Sequence, residues 1–177
     1  MSRQGALDCR GFAPSSRPDA RLLILGSMPG AASLEAAQYY AHPRNAFWWL
    51  AAELWGVPAD AAYEARLAAL HRAGVALWDV LARCEREGSL DQAIARGSEE
   101  AQPLAAFVAR HPQLRLVAFN GAKAEEAWRR HVLPRWPEDQ PMPPTVRLPS
   151  SSPAHAALDR AAKLGRWREA LAGAVAT

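Results

Sequence analysis

The sequence is poor in cysteine, with only Cys9 and Cys84 among 177 residues. Two thiols are too few for a disulfide framework, and too few for a metal or iron–sulfur cluster held by four thiolates. Long apolar runs are missing as well. The stretch Leu22 to Leu25 falls far short of the roughly 20 residues that a membrane span needs. The N-terminus lacks the basic patch followed by an apolar stretch that marks a secretory leader. No group of His, Cys and acidic residues has metal-ligand spacing, so neither a metal nor another cofactor is expected. These absences lead to the expectation of a cytoplasmic protein, monomeric and without a membrane partner.

Half of the residues are apolar, enough for a substantial core. The length suits one domain at roughly 150 residues per domain. The formal net charge is only +3, but it is uneven. Residues 103–177 carry 11 Lys or Arg against 6 Asp or Glu, whereas residues 1–102 carry 10 against 12. A basic C-terminal half suits a polyanion such as DNA. A solvated, Arg-rich surface would give the same counts, so charge alone does not decide.

Residues 1–20 are rich in Pro, Ser and Arg and have no helical period, which predicts a loose N-terminal arm before a single domain over 21–177. Short apolar runs that end in polar or Gly/Pro-rich turns predict strands at 21–26, 74–80, 114–121 and 145–148. Apolar positions three and four apart predict helices at 44–55, 60–72, 99–110, 121–132 and 155–173. Ser98, followed by Glu99 and Glu100, fits a helix start. Alternating strands and helices predict an α/β fold: a three-layer α/β/α sandwich around a central, mainly parallel four-stranded sheet. In such folds ligands bind beyond the carboxyl ends of the strands. That edge collects residues 26–30, 79, 120–121 and 149–155.

Four segments there carry chemistry. Gly26-Ser27-Met28-Pro29-Gly30 follows the first of these strands. It lacks the Gly-Lys-Ser/Thr ending of a phosphate-binding loop and the spacing of a dinucleotide fingerprint. Tyr39-Tyr40-Ala41-His42-Pro43-Arg44-Asn45-Ala46-Phe47-Trp48-Trp49 packs aromatics, an imidazole, a cation and an amide into one stretch. Pro43 suits a first helical turn, which would leave the Asn45 amide to face a ligand or to cap the backbone. Phe119-Asn120-Gly121 puts an amide at a strand end, where it can read a base edge. Leu148-Pro149-Ser150-Ser151-Ser152-Pro153-Ala154-His155 clusters hydroxyls and backbone amides before a helix, as in a phosphate cradle.

Together these motifs resemble the uracil-DNA glycosylase superfamily, and in particular its hypoxanthine (deoxyinosine) DNA glycosylase branch. The Gly26–Gly30 loop is similar to the first, water-activating motif. Residues 39–48 resemble a stretch shared with the mismatch-specific uracil glycosylases. Ser150-Ser151-Ser152-Pro153 resembles the second, DNA-penetrating motif. Most branches have Asn or Asp at the position of Met28, whose thioether accepts hydrogen bonds too weakly to orient water. In the hypoxanthine branch that duty passes to the Asn of a His-Pro-x-Asn segment, here Asn45.

The resemblance implies a hydrolase that acts on DNA containing deaminated bases, flips the target base out of the stack and cuts its N-glycosidic bond. It implies Asn45 as the group holding water or the sugar cation. Asn120 would contact the base or support Asn45. Gly26, Ser27, Met28, Pro29, Gly30, Tyr40, Phe47 and Asp79 are the expected base pocket. Ser150, Ser151, Ser152, Pro153, His155, Lys123 and Arg147 are the expected DNA contacts. Three alternatives stay open. Ser27, Asp79 and His155 have the makings of a Ser-His-Asp triad, although a Gly-x-Ser-x-Gly elbow is absent. The chain could bind damaged DNA without cutting it. It could also prefer uracil or xanthine.

Overall fold

The computed structural model describes residues 5–175. In chain order the strands are β1 (Leu7–Arg10), β2 (Leu22–Gly26), β3 (Val75–Asp79), β4 (Leu81–Arg86), β5 (Glu100–Ala101), β6 (Leu116–Asn120) and β7 (Thr145–Leu148). The α-helices are α1 (Ala31–Ala36), α2 (Phe47–Trp55), α3 (Tyr63–Arg72), α4 (Leu104–Ala109), α5 (Ala122–Ala127) and α6 (Arg160–Ala170).

β2 and β3 are buried at every position because both of their faces are covered. They lie beside β6 and β7 in an all-parallel sheet of order β3-β2-β6-β7. Alternation along the strands divides the core into two layers. Leu22, Ile24, Val75, Leu77, Ala118 and Leu148 face α2, α3 and α6. Leu23, Leu25, Ala76, Trp78, Val117 and Phe119 face α4 and α5. The expected α/β sandwich with a four-stranded parallel core is therefore present.

A second sheet was not foreseen. β4 continues from β3 after Val80 and pairs antiparallel with β1 on one side and with the short β5 on the other. Its residues Leu81 and Cys84 join the α4–α5 core layer. This sheet corrects the expectation of a loose N-terminal arm. The arm's first four residues lie outside those described, but β1 is a strand, and the backbone of Ser15 exchanges two 2.9 Å hydrogen bonds with Leu77. Burial of Cys9 and Ala20 holds this segment down better than its Pro and Ser content suggests.

Three helix boundaries also need correction. The predicted helix at 99–110 begins at Leu104, because Glu100 and Ala101 join β5. Ser98 starts no helix. Its hydroxyl accepts from the Glu85 N–H (2.9 Å) and donates to the Ala95 carbonyl (2.6 Å), which pins a turn. α6 begins at Arg160, where Asp159 caps the N–H of Ala162 at 2.8 Å, so His155 lies in a loop five residues before the helix. Similarly, α2 starts at Phe47, and Pro43 lies in the turn before it.

Trp167 of α6 ties the last helix to the sheet edge. Its ring is fully buried, and its indole N–H donates to the Pro149 carbonyl at 2.8 Å. Trp167→Ala is expected to cost about 3–5 kcal/mol, as truncation of a buried aromatic does. Urea unfolding followed by circular dichroism measures it.

Candidate active site

The loops at the carboxyl edge of the parallel sheet surround a cavity of about 450 Å³. The cavity brings together Gly26 to Gly30, Tyr40, Asn45, Asp79, Asn120 and Ser150 to Pro153. Most of the residues singled out in the sequence therefore share one space, as strand-end placement requires.

The 26–30 loop packs tightly. Gly26 lies against Asp79, and a Cβ on it would collide with the Asp79 carboxylate oxygen. Glycine is required here because a carboxyl group occupies the space a side chain would need. Met28 borders the cavity but is only 6% exposed, and it packs into the core layer with Leu25 and Trp78.

Asn45 sits just before α2. Its Oδ1 accepts from the Phe47 N–H at 3.0 Å, which satisfies one of the helix's free amides and fixes which end of the carboxamide is oxygen. Capping and facing the cavity were alternatives for Asn45 in the sequence, and the side chain does both. One Oδ1 lone pair and the Nδ2 group remain for a ligand.

Asn120 is held from both ends. Its Nδ2 donates to the Ser151 hydroxyl and its Oδ1 accepts from the Ser151 N–H, each at 2.8 Å. The Ser151 carbonyl accepts in turn from the Ala46 N–H at 2.9 Å. The sheet edge, the serine loop and the start of α2 thus form one hydrogen-bonded chain. Gly121 follows Asn120 with a φ of +99°, and a Cβ there would press on Ser150.

Asp79 is buried, and its Oδ2 has no hydrogen-bond partner among the described residues. Burial, reinforced by the negative charge of Asp91 and opposed by Arg86, pushes its pKa up to about 7. The Tyr40 hydroxyl is likewise buried without a partner. Burial chiefly, and then the Asp79 charge, raises its pKa, while the Asn120 amide pulls the other way. Two buried, unpaired polar groups beside a cavity cost free energy unless something pairs with them.

Several expectations are corrected. Phe47 is fully buried and does not border the cavity, because Tyr40 lies over it with ring centroids 4.1 Å apart. It therefore supports the cavity wall from behind. Lys123 borders neither this cavity nor a neighbouring one, since it lies 3.6 Å from Glu99 and 3.8 Å from Glu126. Its ammonium serves contacts within the protein. The candidate triad is not assembled. Ser27 donates to Asp91 at 2.7 Å, and His155 lies beyond the serine loop. His155 there borders a second cavity of about 730 Å³, shared with Arg147, Arg166 and Ser150.

Sequence reasoning missed the loop that follows β4. Ser89, Leu90 and Asp91 form one lip of the main cavity. Arg86, fully buried, holds this loop by donating to the Gly88 carbonyl at 3.0 Å and to the Pro29 carbonyl at 2.6 Å. Ser89 accepts from the Ala31 N–H at 2.8 Å. The sequence carried only a Gly-Ser turn signal here, and nothing in it linked that turn to the 26–30 loop. No helix among the described residues is long and apolar enough to cross a membrane.

Comparisons with known proteins bear on the family and the fold. Two proteins named hypoxanthine DNA glycosylase, from Methanosarcina barkeri and Methanosarcina acetivorans, are 40% and 41% identical over 118 residues, covering 66% of this chain and 73% of each relative. A Methanosarcina acetivorans chain, solved by NMR and described as a candidate uracil DNA glycosylase, superposes with a TM-score of 0.74 at 32% identity, covering 92% of this chain and 96% of that one. The model of the uracil DNA glycosylase superfamily matches residues 13–172. With nearly its whole length matched, the chain belongs to the uracil DNA glycosylase superfamily.

Proposed function

We propose that this DNA glycosylase releases hypoxanthine from DNA, with Asn45 holding the attacking water. The observation that carries this reading is the Asn45 carboxamide, locked by the Phe47 N–H and bordering the same cavity as Met28, whose thioether cannot orient water. Cleavage builds positive charge on the sugar and negative charge on the departing base, and fixed dipoles stabilise both most effectively where water is excluded. Asn120 acts as a positioning residue, since its pairing with Ser151 fixes the backbone beside Asn45.

Asp79 reads the base. Hypoxanthine presents a lactam edge, an N–H beside a C=O. A neutral carboxyl matches that edge by donating to the carbonyl and accepting from the N–H. A charged carboxylate would repel the electron-rich leaving base. Uracil and xanthine carry the same edge, so they are the competing substrates. Tyr40, backed by Phe47, offers a face on which the base can stack. Ser150, Ser152, Arg147 and His155 grip the phosphates alongside.

A panel of duplexes carrying hypoxanthine, uracil, xanthine or a thymine mismatch, treated with alkali after incubation, shows which base leaves. Hypoxanthine release should be fastest, and a faster uracil or xanthine reaction would reassign the specificity. Asn45→Ala should lower the single-turnover rate about a hundredfold, as loss of one preorganised polar group does, while gel-shift affinity persists.

The reactive form of Asp79 is the neutral one, which prevails below its pKa of about 7. The rate should therefore fall roughly tenfold per pH unit once the pH passes that value. Asp79→Asn keeps a donor and an acceptor without a titrating proton, so its pH profile should be flat there. A wild-type rate that rises across the same range would reverse the assignment. Arg147→Gln should reduce the slope of log affinity against log salt by about one, as loss of one phosphate contact does. Arg147 lies 3.8 Å from Glu125 but is 57% exposed and can turn to a phosphate, whereas Lys123, 25% exposed between Glu99 and Glu126, should leave that slope unchanged as Lys123→Gln in a filter-binding titration.

A further inference from the structure

Tyr40 sits in a left-handed backbone conformation, with a φ of +56°. The one other non-glycine residue with positive φ among those described is Ala37, which ends α1, where such a turn is common. Tyr40 ends no helix. A bulky side chain is strained in this region, and the strain persists only where the surroundings fix the chain.

The two peptide planes that flank Tyr40 are each held by a side chain from a different helix. The plane before it carries the Tyr39 carbonyl, which accepts from the Trp48 indole N–H at 3.1 Å. The plane after it carries the Ala41 N–H, which donates to the Ser33 hydroxyl at 3.1 Å. Trp48 of α2 is held in turn by the Arg66 guanidinium, 4.4 Å from the centre of its ring, and by Tyr63, which meets it edge-on. The Tyr63 hydroxyl also accepts from the Tyr39 N–H at 2.9 Å. Ser33 is buried on α1. The orientation of two successive planes sets φ and ψ of the residue between them, so these contacts define the Tyr40 conformation. The result is a ring stacked on Phe47 and bordering the main cavity.

We infer that Ser33 and Trp48 are positioning residues that hold Tyr40 in its strained turn, so that its ring is set for the extracted base before DNA binds. This assignment rests on the reading of the cavity as a base pocket with Tyr40 as its stacking face. Released from either side, Tyr40 relaxes toward ordinary backbone angles and its ring leaves Phe47. A face ordered in advance needs no further ordering when the base arrives. The contribution of both residues therefore passes through the Tyr40 ring.

Ser33→Ala removes one hydroxyl, and Trp48→Phe removes the indole N–H while keeping a ring beneath Arg66. The full chain carries each change alone and together with Tyr40→Ala. Release of hypoxanthine from duplex DNA is measured in single turnover with excess protein, and exchange of amide and indole protons is followed by NMR. Each single change should slow release about tenfold, the scale set by the strain of such a turn, and neither should slow Tyr40→Ala further. Trp48→Phe should speed exchange at the Ala41 N–H, and Ser33→Ala should speed it at the Trp48 indole, although each of these protons keeps its own acceptor. Equal slowing with and without the Tyr40 ring would make Ser33 and Trp48 general supports of the cavity and overturn the inference. Single variants that keep the wild-type rate, or that leave exchange on the far side of Tyr40 unchanged, would overturn it as well. A wild-type protein that releases no base, in which exchange still responds across Tyr40, would refute the glycosylase reading while leaving the clamp on this turn standing.

Discussion

The reciprocal pair between Asn120 and Ser151 is the contact on which the cavity depends. Asn120 closes the third strand of the parallel sheet, and Ser151 lies in the loop that leaves the fourth. Two parallel hydrogen bonds fix the relative position of these groups more sharply than either would alone. The Ser151 carbonyl then fixes Ala46, so the carboxamide of Asn45 inherits its place from the sheet. Trp167 completes the support by holding Pro149 from below. A loop of three serines and two prolines has little apolar surface with which to anchor itself. Its order comes from polar groups that the sheet has already positioned.

The floor of the cavity follows a different logic. Asp79, Asp91 and Arg86 lie close enough to influence one another, yet Arg86 spends its hydrogen bonds on the carbonyls of Gly88 and Pro29. The guanidinium therefore organises two loops and tempers the carboxylates only through its field. Burial outweighs that field at Asp79, whose proton is held to about pH 7. A direct ion pair would have favoured the charged form of Asp79 instead. Under the proposed function a neutral acid here meets the developing negative charge, and the absence of a direct contact with Arg86 leaves burial to decide the proton.

How much of this was legible in the sequence differs from element to element. β2, β3 and β6 were readable because each is a short apolar run ending in Gly, Asp or Asn, as strands covered on both faces are, whereas the half-exposed β7 was readable from its β-branched residues and the Pro that follows it. The site was readable for the same reason, since strand ends in such sheets converge. The β1–β4–β5 sheet was not, because Leu7–Arg10 and Leu81–Arg86 mix charged and small residues with no clean alternation. Their pairing is decided by tertiary contacts. The placements of Phe47 and Lys123 failed for a related reason. Sequence gives the neighbourhood of a side chain, but whether an aromatic faces a cavity or backs it depends on Tyr40, and whether a lysine is free depends on Glu99, 24 residues away.

Met28 brings these points together. In a loop that hugs the core, a buried thioether contributes packing and no hydrogen bonding, so the loop becomes a structural partner of Asp79, Asp91 and Arg86. Under the proposed function, water activation comes from another wall of the same cavity. The start of α2 suits that task, because an amide that caps a helix is already oriented and loses little entropy on meeting water. Moving the duty there separates two functions that a single loop would otherwise combine. On that reading the 26–30 segment serves close approach to the base, with Gly26 yielding its side-chain space to a carboxyl, and the segment before α2 serves the sugar. The fold permits this exchange because both segments are referenced to the same sheet edge, one through backbone continuity with β2 and the other through Ser151 and Asn120.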